Sequence, residues 1–193
     1  EISILSDKNR VLLKQIGKNI EIIDINQNIY RTVKVKSEEH RLAYLTLEIF
    51  NQTDFNNIVF FDGDMLTLKD FSDSFNFSFP VFGCKVGKFS LKNKADLKWK
   101  FINTGFFGIS RKLLPKNIYN DLMEIIINRD DKNLNLLDQE VINCYFKNKK
   151  LPIYLLNHYY NFRNFGAGDD GSESLLYKNK NKIKILHFSG YEF

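Results

Sequence analysis

An α/β fold, with a mixed and mainly parallel sheet flanked by helices, is what this sequence predicts. Short β-branched or aromatic runs alternate with segments whose apolar residues recur at helical spacing through the first half of the chain. The 193 residues are 44% hydrophobic and include 18 Phe and 9 Tyr, enough to enclose one substantial core. The strongest run, Asn57–Phe61, stops abruptly at Asp62-Gly63-Asp64, and sheets of this class bind ligands beyond the carboxyl ends of their strands.

The elements follow in order. Residues 2–5 are a short apolar run ending at Ser6-Asp7, and a helix is expected over about 8–16 with Gly17 as its C-cap. The β-branched stretch 20–25 (IEIIDI) predicts a strand, and the polar residues 26–36 a loop. Ser37 is placed to cap a helix over 38–51, whose Leu42, Leu45, Ile49 and Phe50 form an apolar stripe. Strands are expected at 57–61, 81–85 and 105–109. A helix starting near Pro115 should cover 118–127, and another 137–146. Residues 151–155 and 183–188 predict two late, short strands. With no repeat and no linker-like stretch, one domain spanning 1–193 is the expectation.

Bulk properties exclude several functions. The net charge of +5 is modest and its lysines are scattered, apart from Lys178, Lys180, Lys182 and Lys184. This fits a solvated surface, or attraction to phosphates on a nucleotide or an anionic membrane. No basic face interleaved with stacking aromatics points to nucleic acid. Cys84 and Cys144 sit in apolar surroundings without paired spacing, as buried thiols of a reducing compartment do. No apolar run is long enough to span a bilayer, and the opening residues are not a signal peptide. A cytoplasmic protein is expected, with peripheral attachment to the inner face of a membrane as a further expectation.

Two carboxylates one residue apart, directly after a buried strand, can place oxygens around one hard divalent cation such as Mg²⁺ or Mn²⁺. Gly63 between them permits tight backbone geometry. The chemistry such a cation serves is neutralisation of a diphosphate leaving group. Asp-Gly-Asp is also an ordinary turn composition. A turn rarely follows so apolar a strand, and that location raises its standing.

The string IVFFDGDMLTL (58–68) resembles the D-x-D segment of glycogenin-like retaining glycosyltransferases, glycosyltransferase family 8. Further matches follow in the same order. Asn103-Thr104-Gly105 within FINTGFF resembles the family's F-N-(S/A/T)-G segment. Asp138-Gln139 with Asn143 resembles its D-Q-x-x-x-N helix start. Leu151-Pro152 followed by Asn157 or Asn161 resembles L-P-x-x-(Y/F)-N, and His187-Phe188-Ser189-Gly190 resembles the terminal H-F-x-G. Five matches in order over most of the chain make the resemblance specific, with a first strand and a C-terminal tail of the family expected to be missing.

The resemblance implies a GT-A fold, a UDP-sugar donor, Mn²⁺ or Mg²⁺, and transfer of a hexose with retention to a glycan or lipid-linked saccharide, as in polysaccharide biosynthesis. It implies that Asp62, Asp64 and His187 hold the metal, an imidazole suiting Mn²⁺ better than Mg²⁺. Asp62, Gly63, Asp64, Asn103, Thr104, Gly105 and Gly190 would contact the donor. Asp138 and Gln139 would lie under the sugar; glutamine is a poor nucleophile, so Asp138 is preferred if any group attacks. Asp138 is equally suited to cap a helix. Two positions depart from the family. Thr46 stands where a diphosphate-binding Lys or Arg is expected, with Arg41 a turn earlier as a substitute. Lys85-Val86 stand where a sugar-contacting aspartate is common. These departures motivate an alternative, a non-catalytic glycan-binding or scaffold domain on the same fold. A nucleotidyltransferase is a third possibility, but no glycine-rich nucleotide loop is visible.

Overall fold

The structure, a computed structural model, describes residues 6–17, 19–75, 78–86, 100–128, 137–163 and 178–188. In chain order the helices are α1 (Asp7–Ile16), α2 (Glu38–Ala43), α3 (Ile118–Asn128) and α4 (Leu137–Asn148). The strands are β1 (Asn57–Phe61), β2 (Met65–Thr67), β3 (Val81–Lys85), β4 (Ile102–Ser110), β5 (Ile153–Leu156) and β6 (Ile185–His187). Four of them form a mixed sheet in the order β1-β4-β3-β5. The β1/β4 and β4/β3 pairs are antiparallel and the β3/β5 pair is parallel. The mixed α/β architecture is the expected one, and among the described pairings the parallel component is the β3/β5 ladder and an isolated bridge between Phe162 and Leu186.

Strand β4 is the axis of the molecule, with every residue from Ile102 to Ile109 buried. Phe107 and Ile109 point into the main core with Leu122, Ile126, Ile142 and Phe146 of α3 and α4. Phe106, on the opposite face, packs with Phe82, Cys84, Leu156 and Ile185. A strand covered on both faces has no need of alternation, and its unbroken apolar run (FFGI) reflects that. Packing is tight enough that Phe82 lies directly on Gly108, where an added Cβ would sit 1.9 Å from the ring Cζ.

Three segments depart from the sequence reading. Residues 20–25 carry no ladder; Ile20 and Ile23 are exposed, and no partner strand for them occurs among the described residues. β-propensity stabilises a strand mainly through cross-strand neighbours, so the segment stays irregular without them. The helix expected over 38–51 is α-helical only to Ala43 and continues as a 3₁₀-helix, Tyr44–Asn51. Its buried residues explain the change. Tyr44, Leu47 and Phe50 are spaced by three and are all within 1% of complete burial, and a 3₁₀-helix stacks that spacing on one face. Strand β2 was not expected at all; it exists because Met65–Thr67 pairs antiparallel with β6, far away in sequence. Among the thiols, Cys84 is buried but Cys144, on α4, only half-buried.

Candidate metal and donor site

The site is built where β1, the β4 bulge, the start of α4 and β6 converge. Asp62 follows β1, and its backbone N–H donates to Gly105 O at 2.8 Å. The turn Asp62-Gly63-Asp64 then enters β2, whose Met65 faces His187 across the two-stranded ladder. Phe188 N–H donates to Asp64 O at 3.0 Å, closing the ladder beyond His187. Two segments more than 120 residues apart are thereby locked in register, and the three ligand-type side chains come together.

Between β3 and β4 the register shifts: Gly83 faces Phe107, yet Lys85 faces Ile102. Two steps along β3 thus match five along β4. The extra residues belong to the stretch around Asn103-Thr104-Gly105, and a bulge of this kind re-aims side chains. Asn103 and Thr104 are buried. Gly105 sits against the ligand cluster, where an added Cβ would lie 2.4 Å from His187 Cε1 and 2.7 Å from Asp62 Oδ2. Only glycine permits that approach.

The geometry of the cluster is specific. His187 Nε2 lies 3.3 Å from Asp64 Oδ1 and 3.6 Å from Asp62 Oδ2. Ligand atoms of Asp62, Asp64 and His187 all fall within 4.8 Å of one another. The His187 ring is buried, and its Nε2 makes no hydrogen bond. Burial lowers its pKa, overcoming the pull of the Asp64 charge. Burial, reinforced by the Asp64 charge, pushes the Asp62 carboxyl up to about 6. Two carboxylates and a neutral imidazole nitrogen aimed at one point form a donor set suited to a divalent cation of the Mn²⁺ type. A buried imidazole nitrogen without a partner, cradled against glycine, is what such a cation would satisfy.

Asp138 and Gln139 lie in the first turn of α4, not at its cap, since the helix already begins at Leu137. Leu137 has φ 43°, a strained start for a branched residue that turns the chain sharply into the helix. Asp138 accepts from Thr104 Oγ1 at 3.0 Å. Burial, with a smaller contribution from the Asp62 charge, pushes its carboxyl up to about 7 although the Thr104 hydroxyl acts the other way. Gln139 is buried with its Oε1 turned inward, accepting from Asn103 Nδ2 at 2.6 Å and Thr104 N–H at 3.2 Å. Asn143 brackets Ile102: its Oδ1 accepts from Ile102 N–H and its Nδ2 donates to Ile102 O, each at 2.8 Å. The sequence match at Asp138, Gln139 and Asn143 is therefore one helix face holding the β4 bulge.

Of the two asparagines after β5, the structure selects Asn161. Asn157 caps the next turn by accepting from Tyr159 N–H. Asn161 is buried and touches both His187 Nδ1 at 2.8 Å and Asn103 Oδ1 at 2.7 Å. Arg41 is not the substitute cation: its guanidinium donates to Glu38 and to the carbonyls of Tyr30 and Val33. Thr46 is buried and Lys85 is exposed at the end of β3. Gly63 is exposed with open space around it, and Gly190 lies outside the described residues. Arg163 belongs to none of the motifs read from the sequence. It directly follows Phe162, whose backbone bonds to Ile185 O and His187 N, and its charge acts on both His187 and Cys84. It is half-buried, with no hydrogen bond or ion pair among the described residues. Its nearness to β6 is visible only in the folded chain.

No protein-family model matches the sequence, and no curated protein matches it. Solved structures do. The galactosyltransferase LgtC, in complex with donor and acceptor sugar analogs, superposes with a TM-score of 0.71 at 16% identity, covering 96% of this chain and 73% of its own. The bifunctional glycosyltransferase WbbM gives 0.69 at 17% identity over 97% of this chain, which spans only 39% of WbbM. Mouse xyloside xylosyltransferase 1 gives 0.55 at 10% identity over 95% of this chain and 82% of its own. The likeness shows a GT-A glycosyltransferase fold, as the resemblance implied.

Proposed function

We propose that this chain is a metal-dependent glycosyltransferase that moves a hexose from a UDP-sugar to a glycan or lipid-linked saccharide, with retention of configuration. The observation that carries the reading is the buried His187 Nε2, without a partner and 3.3 and 3.6 Å from two carboxylates. Asp62, Asp64 and His187 would hold Mn²⁺ or Mg²⁺, whose contribution when bound is to neutralise the departing diphosphate. The rest is the work of this chain's own groups. Asp62 and Asp64 occupy the carboxyl end of β1 and fix where the diphosphate lies. Asn103, Thr104 and Gly105 present polar groups from the bulge to the sugar hydroxyls. Asp138, oriented by Thr104, faces the reacting side of the sugar and carries the charge that meets developing positive charge at the anomeric carbon. Gln139, with its oxygen committed to Asn103 and Thr104, holds the bulge in place. Arg163 takes the part of the missing diphosphate cation, since a guanidinium without a hydrogen-bond or ion-pair partner among the described residues is available to phosphate oxygens.

Thermal protection by UDP tests this reading. UDP should raise Tm in the presence of Mn²⁺ and not in EDTA, and Asp62→Ala and Asp64→Ala should each remove the rise. Undiminished protection of both variants would overturn the assignment. Arg163→Ala should weaken UDP binding about tenfold, the size of one charge-assisted contact of roughly 1.4 kcal/mol, while leaving Mn²⁺ binding in place. The engagement of Arg41 favours a second reading, a glycan-binding domain on this fold without turnover. Release of UDP from a UDP-sugar by the wild-type chain ends it.

A further inference from the structure

We propose that Asn161 is a positioning residue that fixes the tautomer of His187, placing its ring proton on Nδ1 and leaving Nε2 bare toward Asp62 and Asp64. The proposal rests on the metal reading above for its purpose, but not for its geometry. A neutral imidazole has one N–H, and which nitrogen carries it depends on what the other nitrogen meets. His187 Nδ1 meets the side-chain oxygen of Asn161 at 2.8 Å. The assignment therefore depends on whether that atom of Asn161 is truly its oxygen.

Two backbone N–H groups decide it, because a main-chain amide can only donate. Gly105 N–H donates to the Asn103 atom 3.2 Å away, so that atom must be Oδ1. Thr104 N–H donates to the Gln139 atom at 3.2 Å, so that atom must be Oε1. The second identification confirms the first, since Gln139 Oε1 needs a donor from Asn103, and Asn103 Nδ2 supplies it at 2.6 Å. Asn103 Oδ1 in turn meets Asn161 at 2.7 Å and requires a donor there, so Asn161 presents Nδ2 to Asn103. Its Oδ1 is left for His187, and only an Nδ1–H completes the pair. Flipping any one amide sets two donors or two acceptors face to face in a buried place, leaving both unsatisfied.

The relay has a further consequence. All four of its side chains, Asn103, Gln139, Asn161 and His187, are buried, with at most 9% exposure. The tautomer is thus set before any ligand arrives, by the same bulge that is proposed to meet the donor sugar. Gln139 on α4 reaches His187 on β6 through two asparagines, and no step passes through solvent.

The experiment is nitrogen-15 NMR of the histidine rings in EDTA-treated protein near pH 8, where imidazoles of ordinary or lowered pKa are neutral. The chain has only 3 histidines, so assignment by His187→Gln is direct. The expected result is a proton on Nδ1 of His187 and a bare Nε2. A wild-type His187 protonated at Nε2 would overturn the proposal whatever the metal does. Asn161→Asp loses the donor to Asn103 Oδ1 but still accepts from Nδ1, so it should keep the Nδ1-protonated form. Asn161→Leu should lose it and weaken Mn²⁺ binding about 10–100-fold. Equal harm from both, with the tautomer unchanged, would reduce Asn161 to a packing role. If His187 shows the expected tautomer but added Mn²⁺ does not broaden its signals, the metal reading fails and the tautomer assignment stands.

Discussion

Glu48 and His187 are both polar, both nearly buried, and both at the centre of a hydrogen-bonded network. The network around Glu48 is closed. Tyr30 and Tyr119 hydroxyls donate to Oε1 at 2.6 Å each, and Asn51 donates to Oε2 at 3.1 Å. Burial, with the carboxylate's help, pushes the Tyr30 and Tyr119 hydroxyls upward, Tyr119 to about 12, so both remain donors. The network around His187 runs through Asn161, Asn103 and Gln139 just as tightly, yet it ends on Nε2, which has no partner. A closed network adds to stability and specifies the fold. An open one keeps a coordination position for something outside the chain, at the expense of leaving a buried nitrogen unsatisfied.

The largest test of that contrast is Glu48→Ala. It removes three hydrogen bonds and strands two tyrosine hydroxyls, at a cost of about 1–3 kcal/mol for each unsatisfied group. A loss of about 3 kcal/mol or more in urea unfolding is expected, with Mn²⁺ affinity of the folded protein unchanged. A fall in metal affinity would mean that the two networks are coupled and the contrast is false.

Gly105→Ala should do the reverse. Its Cβ would overlap His187 Cε1 and crowd Asp62 Oδ2, so the ligand cluster must open. Mn²⁺ affinity should fall about 10–100-fold by calorimetric titration, as for disturbed outer-shell partners. The stability loss should be smaller than for Glu48→Ala, because the displaced groups lie at the edge of the core. Unchanged metal binding would show that the close approach of Gly105 serves strand packing alone.

How much of this was legible in the sequence follows from the range of the interactions. The Asn57–Phe61 strand, α3 and α4 declare themselves through local periodicity, and each lies where its pattern puts it. Residues 20–25 have the composition of a strand but no described neighbour to pair with, and β2 has a neighbour 120 residues away that no local pattern reveals. At the site, the position of Asp62 and Asp64 after the β1 strand marked them, and the family resemblance added Asp138, Gln139 and His187. Their arrangement needed the β4 bulge, which arises from a register shift against β3 and leaves no trace in composition. The choice between Asn157 and Asn161 was open for the same reason, as two asparagines four apart differ only in what the folded chain brings to them. Arg41 failed as a cation because Tyr30 O and Val33 O, two loop carbonyls, claim it.

The smallest expected effect is a pH dependence, and its slope belongs to the open network. Asp62 and Asp138 titrate at about 6 and about 7 in the fold, against 3.8 ordinarily. A carboxyl whose folded pKa is raised binds its proton more tightly in the native state. Its contribution therefore declines as pH rises from about 4 through the folded pKa. The lowered pKa of His187 acts oppositely below about 6.5, but it is one group against two. Carboxylates whose pKa values are lowered, Asp24, Asp70, Asp73 and Asp121, are ionised in both states above about pH 5 and contribute no slope there. Metal-free protein should thus lose a few degrees of Tm between about pH 5 and 7.5. Asp138→Asn should flatten that slope. Mn²⁺ should reverse it, because a cation favours the ionised carboxylates that the empty cluster resists. A Tm that climbs across this interval in EDTA would place Asp62 and Asp138 in a more solvated setting than their packing indicates, and the open network would lose its electrostatic signature.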